Sequence, residues 1–161
     1  MGRLVIVEND PVRATDTHNV SGSNTNTPPN PYTGTGDFDY DGAMTERLVD
    51  FVRIGGAAEA VVSSGSTLNT GEDVAPLGKH AGPAGSNFIP AAPAPAPETL
   101  VIIDAPLGAG EPNAGAGSAL LTVDGVTVLL DGDDIDTCSG VGAPAGSTVT
   151  ATGQDFVSCS A

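Results

Sequence analysis

Apolar residues occur along this chain in short runs, and glycine, proline, aspartate or serine separates each run from the next. Short apolar runs rich in β-branched residues, bounded by such breakers, are typical of β-strands. The densest pattern lies in residues 117–159, where two runs, 118–123 and 126–130, are joined by Asp124 and Gly125. An Asp-Gly pair favours the two-residue turn of a hairpin. We therefore predict an all-β fold with a hairpin at this position.

The earlier part of the chain contains further strand candidates. Residues 4–7 and 100–103 are continuous apolar runs of strand length. Residues 45–62 are ambiguous, because their apolar positions fit either a short helix face or a pair of strands. Gly55 and Gly56 would break a helix, so we favour two strands around a Gly-Gly turn.

Two stretches carry no strand signal. Residues 21–36 have no apolar period, which predicts a long surface loop, and residues 63–85 are rich in turn residues. Residues 90–97 alternate proline with alanine and should be stiff and extended. That stretch fits either an interdomain linker or a connection over the surface of one domain. Because an apolar run restarts directly after it, we predict one domain over residues 1–161, with a loop-rich insertion at about 21–74.

The charge of the chain restricts its partners. Twenty acidic residues face five basic ones, which gives a formal net charge of −15. Such a surface repels phosphate, so we expect no nucleic acid partner. The acidity fits a solvated surface that keeps the protein soluble. It fits equally well a protein from a halophile, since high salt screens the repulsion between carboxylates.

The apolar runs also bear on location. None approaches the roughly 18 apolar residues that a membrane helix needs, so we expect no stable membrane insertion. The N-terminus holds only four consecutive apolar residues before charge resumes, which is not the pattern of a secretory signal. We expect the protein to be made and folded in the cytoplasm.

Four residues are candidate metal ligands: His18, His80, Cys138 and Cys159 are the only histidines and cysteines in the chain. Each lies in a polar or glycine-containing turn, from which a side chain can reach a shared site. Two imidazoles and two thiolates form a closed tetrahedral zinc site. Two alternatives stay open, a Cys138–Cys159 disulfide and histidines that are ordinary exposed turn residues.

Two acidic stretches invite a calcium interpretation. The acids of residues 37–42 alternate as at the start of an EF-hand loop, but the twelfth position is Leu48, where that loop needs a bidentate glutamate. The match therefore fails. Residues 131–136 are similar, and we predict an acidic turn after a strand.

Five short motifs recur in an order that is typical of one known family. They are Thr17-His18-Asn19, Gly117-Ser118, the Val-Asp-Gly-Val turn at 123–126, the Leu-Asp-Gly-Asp run at 130–133 before Cys138, and the closing segment 149–159. Together they resemble the PAAR-repeat proteins, which cap the spike of contractile tails and injection systems, including the type VI secretion machine. The resemblance covers residues 1–20 loosely and 75–159 better, and the Pro-Ala-Ala-Arg tetrapeptide itself is absent.

The resemblance implies a small cone or pyramid of short β-hairpins with long loops and a metal site at its apex. It assigns His18, His80, Cys138 and Cys159 as ligands of one structural zinc or iron ion. It also implies a trimeric β-helical spike protein as partner, with one tip per trimer, and a role in piercing the target cell envelope. The protein would then be assembled at the tip of a tail-like injection particle or virion.

Three functional hypotheses follow. We prefer a structural spike tip without enzymatic activity. The alternative is a capsid or surface decoration β domain without metal. The third is a zinc hydrolase with an open coordination position, against which the chain has no HExxH motif, no Gly-x-Ser-x-Gly elbow and no phosphate-binding Gly-Lys-Ser/Thr loop.

Overall fold

The computed structural model describes residues 2–24, 28–29, 31–69, 81–90 and 97–159. In this part of the chain the fold is all-β, without helix, and consists of several small sheets of which none closes on itself. The prediction of an all-β fold is confirmed. No helix able to cross a bilayer occurs among the described residues.

The strands are mostly short and are connected by turns. They are β1 (Arg3–Leu4), β2 (Pro11–Asn24), β3 (Pro31–Glu46), β4 (Val49–Ile54), β5 (Ala57–Glu59), β6 (Gly65–Leu68), β7 (Ala81–Pro90), β8 (Pro97–Ile102), β9 (Glu111–Pro112), β10 (Thr122–Val123), β11 (Val126–Thr127), β12 (Ile135–Asp136), β13 (Ala145–Val149) and β14 (Ser158–Cys159).

Three buried extended segments, far apart in sequence, form a closed ring of backbone hydrogen bonds. Ile6 N–H donates to the carbonyl of Leu129 (3.0 Å), Leu129 N–H donates to Ala60 (3.0 Å), and Ala60 N–H donates to Ile6 (2.9 Å). Each segment thus binds both of the others. We call residues 4–8, 58–62 and 127–131 the three-strand ring.

A second set of hydrogen bonds joins the same three segments two residues further out, with the opposite cyclic order of donors and acceptors. It runs from Glu8 N–H to Ala58 O (2.8 Å), from Val62 N–H to Thr127 O (2.9 Å) and from Asp131 N–H to Leu4 O (2.8 Å). Ile6, Ala60 and Leu129 have equivalent positions in the first set, and Glu8, Val62 and Asp131 have equivalent positions in the second. The spacing between equivalent residues of two segments is the same in both sets. The three segments are therefore related by an approximate threefold rotation within one chain.

Each ring segment leaves the ring through a turn that a buried polar side chain caps. The caps are Asp10 on Val7 N–H (2.8 Å), Ser64 on Val61 N–H (3.0 Å) and Asp133 on Leu130 N–H (2.8 Å). All three caps are at most 5% exposed. Because the cap lies three residues after the donor in every case, the turns obey the same threefold relation.

The ring separates two hydrophobic clusters, because successive side chains of an extended segment point to opposite faces. Cluster 1 lies on the face of Ile6, Ala60 and Leu129, and cluster 2 lies on the face of Val5, Val7, Val61, Val128 and Leu130. Cluster 1 also contains Val12, Tyr40, Met44, Ile135, Cys138 and Val149, and cluster 2 also contains Ile54. Burial of each larger side chain stabilises the fold by about 1.5–3 kcal/mol.

A long hairpin of β2 and β3 extends from cluster 1. The two strands pair in continuous antiparallel register from Pro11 opposite Ala43 to Ser23 opposite Pro31. β13 and β8 extend the sheet on the β2 side, and β6 and β7 extend it on the β3 side. Alternation along β2 turns Asp16 and His18 to the same buried face.

The prediction of a loop over 21–36 was wrong, since residues 21–24 belong to β2 and residues 31–36 to β3. The reason is that Gly34 and Gly36, which occupy the inward positions at the start of β3, lie opposite larger side chains. Gly34 faces Val20, and Gly36 faces His18. Glycine at these positions removes the apolar alternation from the sequence, although the strand itself is regular.

Other predictions have mixed outcomes. The hairpin turn at Asp124 and Gly125 is confirmed, with φ of 50° and 78° as a type I′ turn requires. The two strands around Gly55 and Gly56 are confirmed as β4 and β5. Residues 63–85 were predicted to be turns, yet they include β6 and the start of β7.

Four further local predictions concern an apolar run, two acidic stretches and the Pro-Ala spacer. The run at 100–103 belongs largely to β8, and within it Ile102 is buried while Val101 and Ile103 are exposed. The acidic stretch at 37–42 lies inside β3, and the acidic turn predicted at 131–136 occurs at Asp131 and Gly132. Most of the Pro-Ala spacer, residues 91–96, lies outside the described part of the chain.

One position breaks the apolar pattern of cluster 2. Glu59 occupies the place that Val5 and Val128 hold in the other two ring segments, is 3% exposed, and has its Oε2 without a hydrogen-bond partner. Burial raises the pKa of Glu59 above its ordinary value of 4.5. When the pKa of a glutamate is higher in the folded state than in the unfolded state, the glutamate destabilises the fold progressively as the pH rises from the unfolded-state pKa through the folded-state pKa. Below the unfolded-state pKa it has no such effect.

We therefore expect Glu59→Gln to raise the free energy of unfolding at pH 7 by about 1–3 kcal/mol, the usual cost of an unsatisfied buried group. The gain should shrink as the pH is lowered towards 4.5, the ordinary glutamate value. Urea unfolding at several pH values measures both effects. Asp155→Asn, at an exposed position, controls for the loss of one negative charge, and an equal gain in that variant would contradict the assignment to burial.

Candidate metal centre

Asp16, His18 and Cys138 form a buried group whose potential ligand atoms all lie within 4.8 Å of one another. Asp16 and His18 share a face of β2, because they are two residues apart on one strand. Cys138 arrives from the segment after β12 and is 3% exposed. The group thus joins parts of the chain about 120 residues apart in sequence.

The thiol and the carboxylate of this group bind each other. Cys138 Sγ donates to Asp16 Oδ2 (3.2 Å), and Thr137 Oγ1 donates to Asp16 Oδ1. Burial raises the pKa of the Cys138 thiol, and the negative charge of Asp16 raises it further. A divalent cation would reverse this effect, because it stabilises the thiolate and takes the place of the thiol proton.

Asp104 orients the imidazole of His18. The distance from His18 Nδ1 to Asp104 Oδ1 is 2.8 Å, and His18 is fully buried. The Phe38 ring packs edge-on against the imidazole, with ring centroids 5.6 Å apart. A carboxylate on one ring nitrogen sets the tautomer and the ring orientation, as is usual for metal-binding histidines. Nε2 is then the nitrogen through which His18 would bind a cation.

Backbone contacts hold Asp104 in place. The Asn19 N–H donates to Asp104 Oδ2. Gly140 lies directly against the carboxylate, and a Cβ atom at this position would collide with it. Neighbouring backbone joins the same region, because Gly140 and Val141 N–H both donate to the carbonyl of Thr17 (3.0 and 2.9 Å).

The structure brings together two of the four predicted ligands, His18 and Cys138. Cys159 lies in β14 opposite Arg3, packs against cluster 2, and has its Sγ 3.2 Å from Ser118 Oγ. No disulfide joins Cys138 to Cys159. His80 lies outside the described residues, and the four-ligand set stays a prediction.

Sequence reasoning missed Asp16 and Asp104. Asp16 had a usable signal, since an Asp-x-His spacing places both side chains on one strand face. Asp104 had none, because it lies 86 residues from His18 and is one of twenty acidic residues. Only the pairing of β8 with β2, which places Ile102 opposite Val20, brings it close.

The donor set suits a borderline transition metal. One carboxylate oxygen, one imidazole nitrogen and one thiolate sulfur could hold a metal ion, and zinc and ferrous iron both accept such mixed ligands. No protein-family model, curated protein or solved structure matches this chain.

We expect the purified protein to carry about one equivalent of zinc or iron by elemental analysis, since the group has donors for one ion. Cys138→Ser should lose that metal and lower the melting temperature, because an oxygen replaces the sulfur ligand. Cys159→Ser is the matched control and should keep the metal. Equal metal content in both variants would contradict the site.

Asp104→Asn tests the orienting contact separately. We expect it to weaken metal affinity about 10–100-fold, the usual effect of removing such a partner, while the stoichiometry at saturation is unchanged. A competition titration with a chromogenic chelator measures the affinity. Asp50→Asn, at a side chain that is 85% exposed, should leave it unchanged, and an equal loss in both variants would mean that only the net charge matters.

Proposed function

We propose that this protein is a structural, non-enzymatic tip of the central spike of a contractile injection system or phage tail, stabilised by one metal ion. The observation that supports this most is the three-strand ring. A single chain with three equivalent segments can match the symmetry of a homotrimer, which presents the same surface three times around its axis.

The face of cluster 2 is the proposed docking surface. Three two-stranded sheets contribute side chains to this cluster, namely β1 with β14, β4 with β5, and β10 with β11. Each has one large apolar side chain that is strongly exposed, either within one of its strands or two residues before it. These are Phe156 (66%), Phe51 (74%) and Leu120 (74%).

Exposed apolar side chains that recur in this way favour a protein partner. Because one such side chain recurs in each of the three sheets, a partner with threefold symmetry is favoured. We propose a trimeric β-helical spike protein that binds one tip per trimer through this surface.

The candidate metal group lies on the other side of the ring, with cluster 1. In the proposed particle this side is the apex of a small cone and faces the target cell envelope. A structural zinc ion contributes about 10–16 kcal/mol of apparent binding free energy in zinc-finger peptides. An ion held by Asp16, His18 and Cys138 would fasten β2 to the segment after β12, where the chain must resist deformation.

One observation favours the alternative, a capsid or surface decoration domain without metal. Cys138 already donates to Asp16, and Asp104 binds His18. The group therefore satisfies its own hydrogen bonds, and the fold needs no ion to avoid a buried unpaired charge at this position. Metal analysis separates this alternative from the spike tip.

The same residues do not favour catalysis. Cys138, His18 and Asp104 are the residue types of a thiol nucleophile, its base and an orienting acid. A nucleophilic cysteine requires a lowered pKa and access to substrate. Here the thiol is 3% exposed and burial raises its pKa.

The stoichiometry tests the proposal. We expect native mass spectrometry of the protein with the trimeric spike protein of the same genome to show one tip per three spike chains. Replacement of Phe51, Leu120 and Phe156 by serine should abolish the complex, since all three anchors are lost. Leu107→Ser, a control at a side chain that is 72% exposed and bonded through its backbone to Ser139, should bind normally. Three tips per trimer, or no effect of the triple variant, would refute the proposal.

A further inference from the structure

Glu59 departs from the apolar pattern on the cluster 2 side of the three-strand ring. Opposite residues of an antiparallel pair lie on the same face, and three such bridges join the ring segments. They are Val5 with Leu130, Val61 with Val128, and Val7 with Glu59. Two of these pairs are entirely aliphatic, whereas the third contains a carboxyl group.

This carboxyl group is buried without compensation in the described part of the protein. Glu59 is 3% exposed, and its Oε2 has no hydrogen-bond partner among the described residues. Burial raises its pKa. An unpaired buried carboxyl group destabilises the fold, whereas valine fills the equivalent position in the other two segments. Residues that lower stability in this way are expected at functional sites.

Glu59 lies close to the proposed docking surface. It pairs directly with Val49 across β4 and β5, and Val49 is only half-buried where it packs against cluster 2. Opposite side chains in an antiparallel pair have Cβ atoms about 4.5–5.5 Å apart. Phe51, one of the three exposed anchors, is two residues further along β4. A partner seated on the anchors therefore meets the protein one residue pair away from the carboxyl group.

The charge of the protein selects the kind of group that would bind Glu59. Twenty acidic residues face five basic ones, and such a surface favours a partner of opposite charge. Lysine and arginine have a long apolar stem, which can lie along Val49 and Phe51, and a charged end that carries N–H donors. Such a side chain matches a carboxyl group that lies beneath apolar neighbours.

The carboxyl group of Glu59 has already lost its water in the free protein. A cation from a partner therefore forms a hydrogen-bonded pair without having to desolvate this carboxyl group on binding. Only the cation loses hydration in that step. Glu59 thus lowers the stability of the free protein and strengthens a complex with a basic partner.

We propose that Glu59 binds one lysine or arginine side chain of the trimeric spike protein when the tip docks through the face of cluster 2. A trimer presents that side chain three times. One copy pairs with Glu59, and the other two face the ring segments in which Val5 and Val128 take the place of glutamate. The contact is therefore made once per tip. This inference rests on the proposed function.

Isothermal titration calorimetry of the tip with the trimeric spike protein of the same genome tests the contact. Glu59→Gln should weaken binding at least about tenfold, because one member of a buried charge pair is lost, although the same substitution stabilises the free tip. Glu59→Val, which restores the apolar pattern, should weaken binding at least as much. Asp50→Asn, at an 85% exposed side chain of the same sheet, is the control for one lost charge and should bind normally.

The outcomes separate the inference from the proposed function. If the unaltered tip binds and both Glu59 variants bind as tightly, the inference is overturned and the spike-tip proposal still stands. The same holds if Asp50→Asn loses as much affinity as the Glu59 variants, since net charge alone would then explain the loss. If the unaltered tip does not bind the spike trimer, the proposed function and the inference both fail.

Discussion

The three backbone hydrogen bonds among Ile6, Ala60 and Leu129 are the constraint on which the rest of the structure depends. Each bond joins two segments that are at least 54 positions apart in sequence. Together they close a triangle in which every segment has both neighbours, so the ring leaves no open strand edge in the core. Because the backbone N–H and C=O groups of Ile6, Ala60 and Leu129 are all paired with one another, the ring can be buried between two hydrophobic clusters.

The ring also explains why polar side chains are tolerated so deep in the protein. Asp10, fully buried, accepts from Val7 N–H at one oxygen and from Thr152 and Gly153 N–H at the other (2.7 Å each). Each such bond contributes only about 0.5–1.5 kcal/mol net, but leaving one unmade costs more. The caps therefore specify where each segment turns out of the ring. They bring the C-terminal residues back to the N-terminal segment as well.

The parts of the fold that could be predicted are those set by local chemistry. Asp124-Gly125 and Gly55-Gly56 encode their turns directly, because few other residues accept a positive φ at both positions. The ring could not be predicted, because the sequences of its three turns are dissimilar. Asn9, Ser63 and Gly132 occupy equivalent positions in these turns, which share little beyond a capping side chain three residues after the N–H donor. Equivalence of this kind becomes visible only when the hydrogen bonds are known.

The residue types in the sequence were enough to predict two members of the site, but not the acidic residues that contact them. His18 and Cys138 stand out because histidine and cysteine are rare in this chain. Asp16 and Asp104 do not stand out among so many acids, although one would bind the ion and the other orients His18. The position of Cys159 follows from the pairing of β14 with β1, which is a contact between the two ends of the described chain.

That last pairing has a topological consequence. With Arg3 opposite Cys159 and Leu4 opposite Ser158, the first and last strands of the described chain are paired neighbours, so this part of the polypeptide almost forms a closed circle. A peptide linker of a few residues could join them covalently, and the exposed turn at Asp124 and Gly125 could then supply new ends without cutting a ring segment. Circular permutation would preserve every hydrogen bond of the ring, so the order in which the three segments are synthesised is separable from the way in which they assemble.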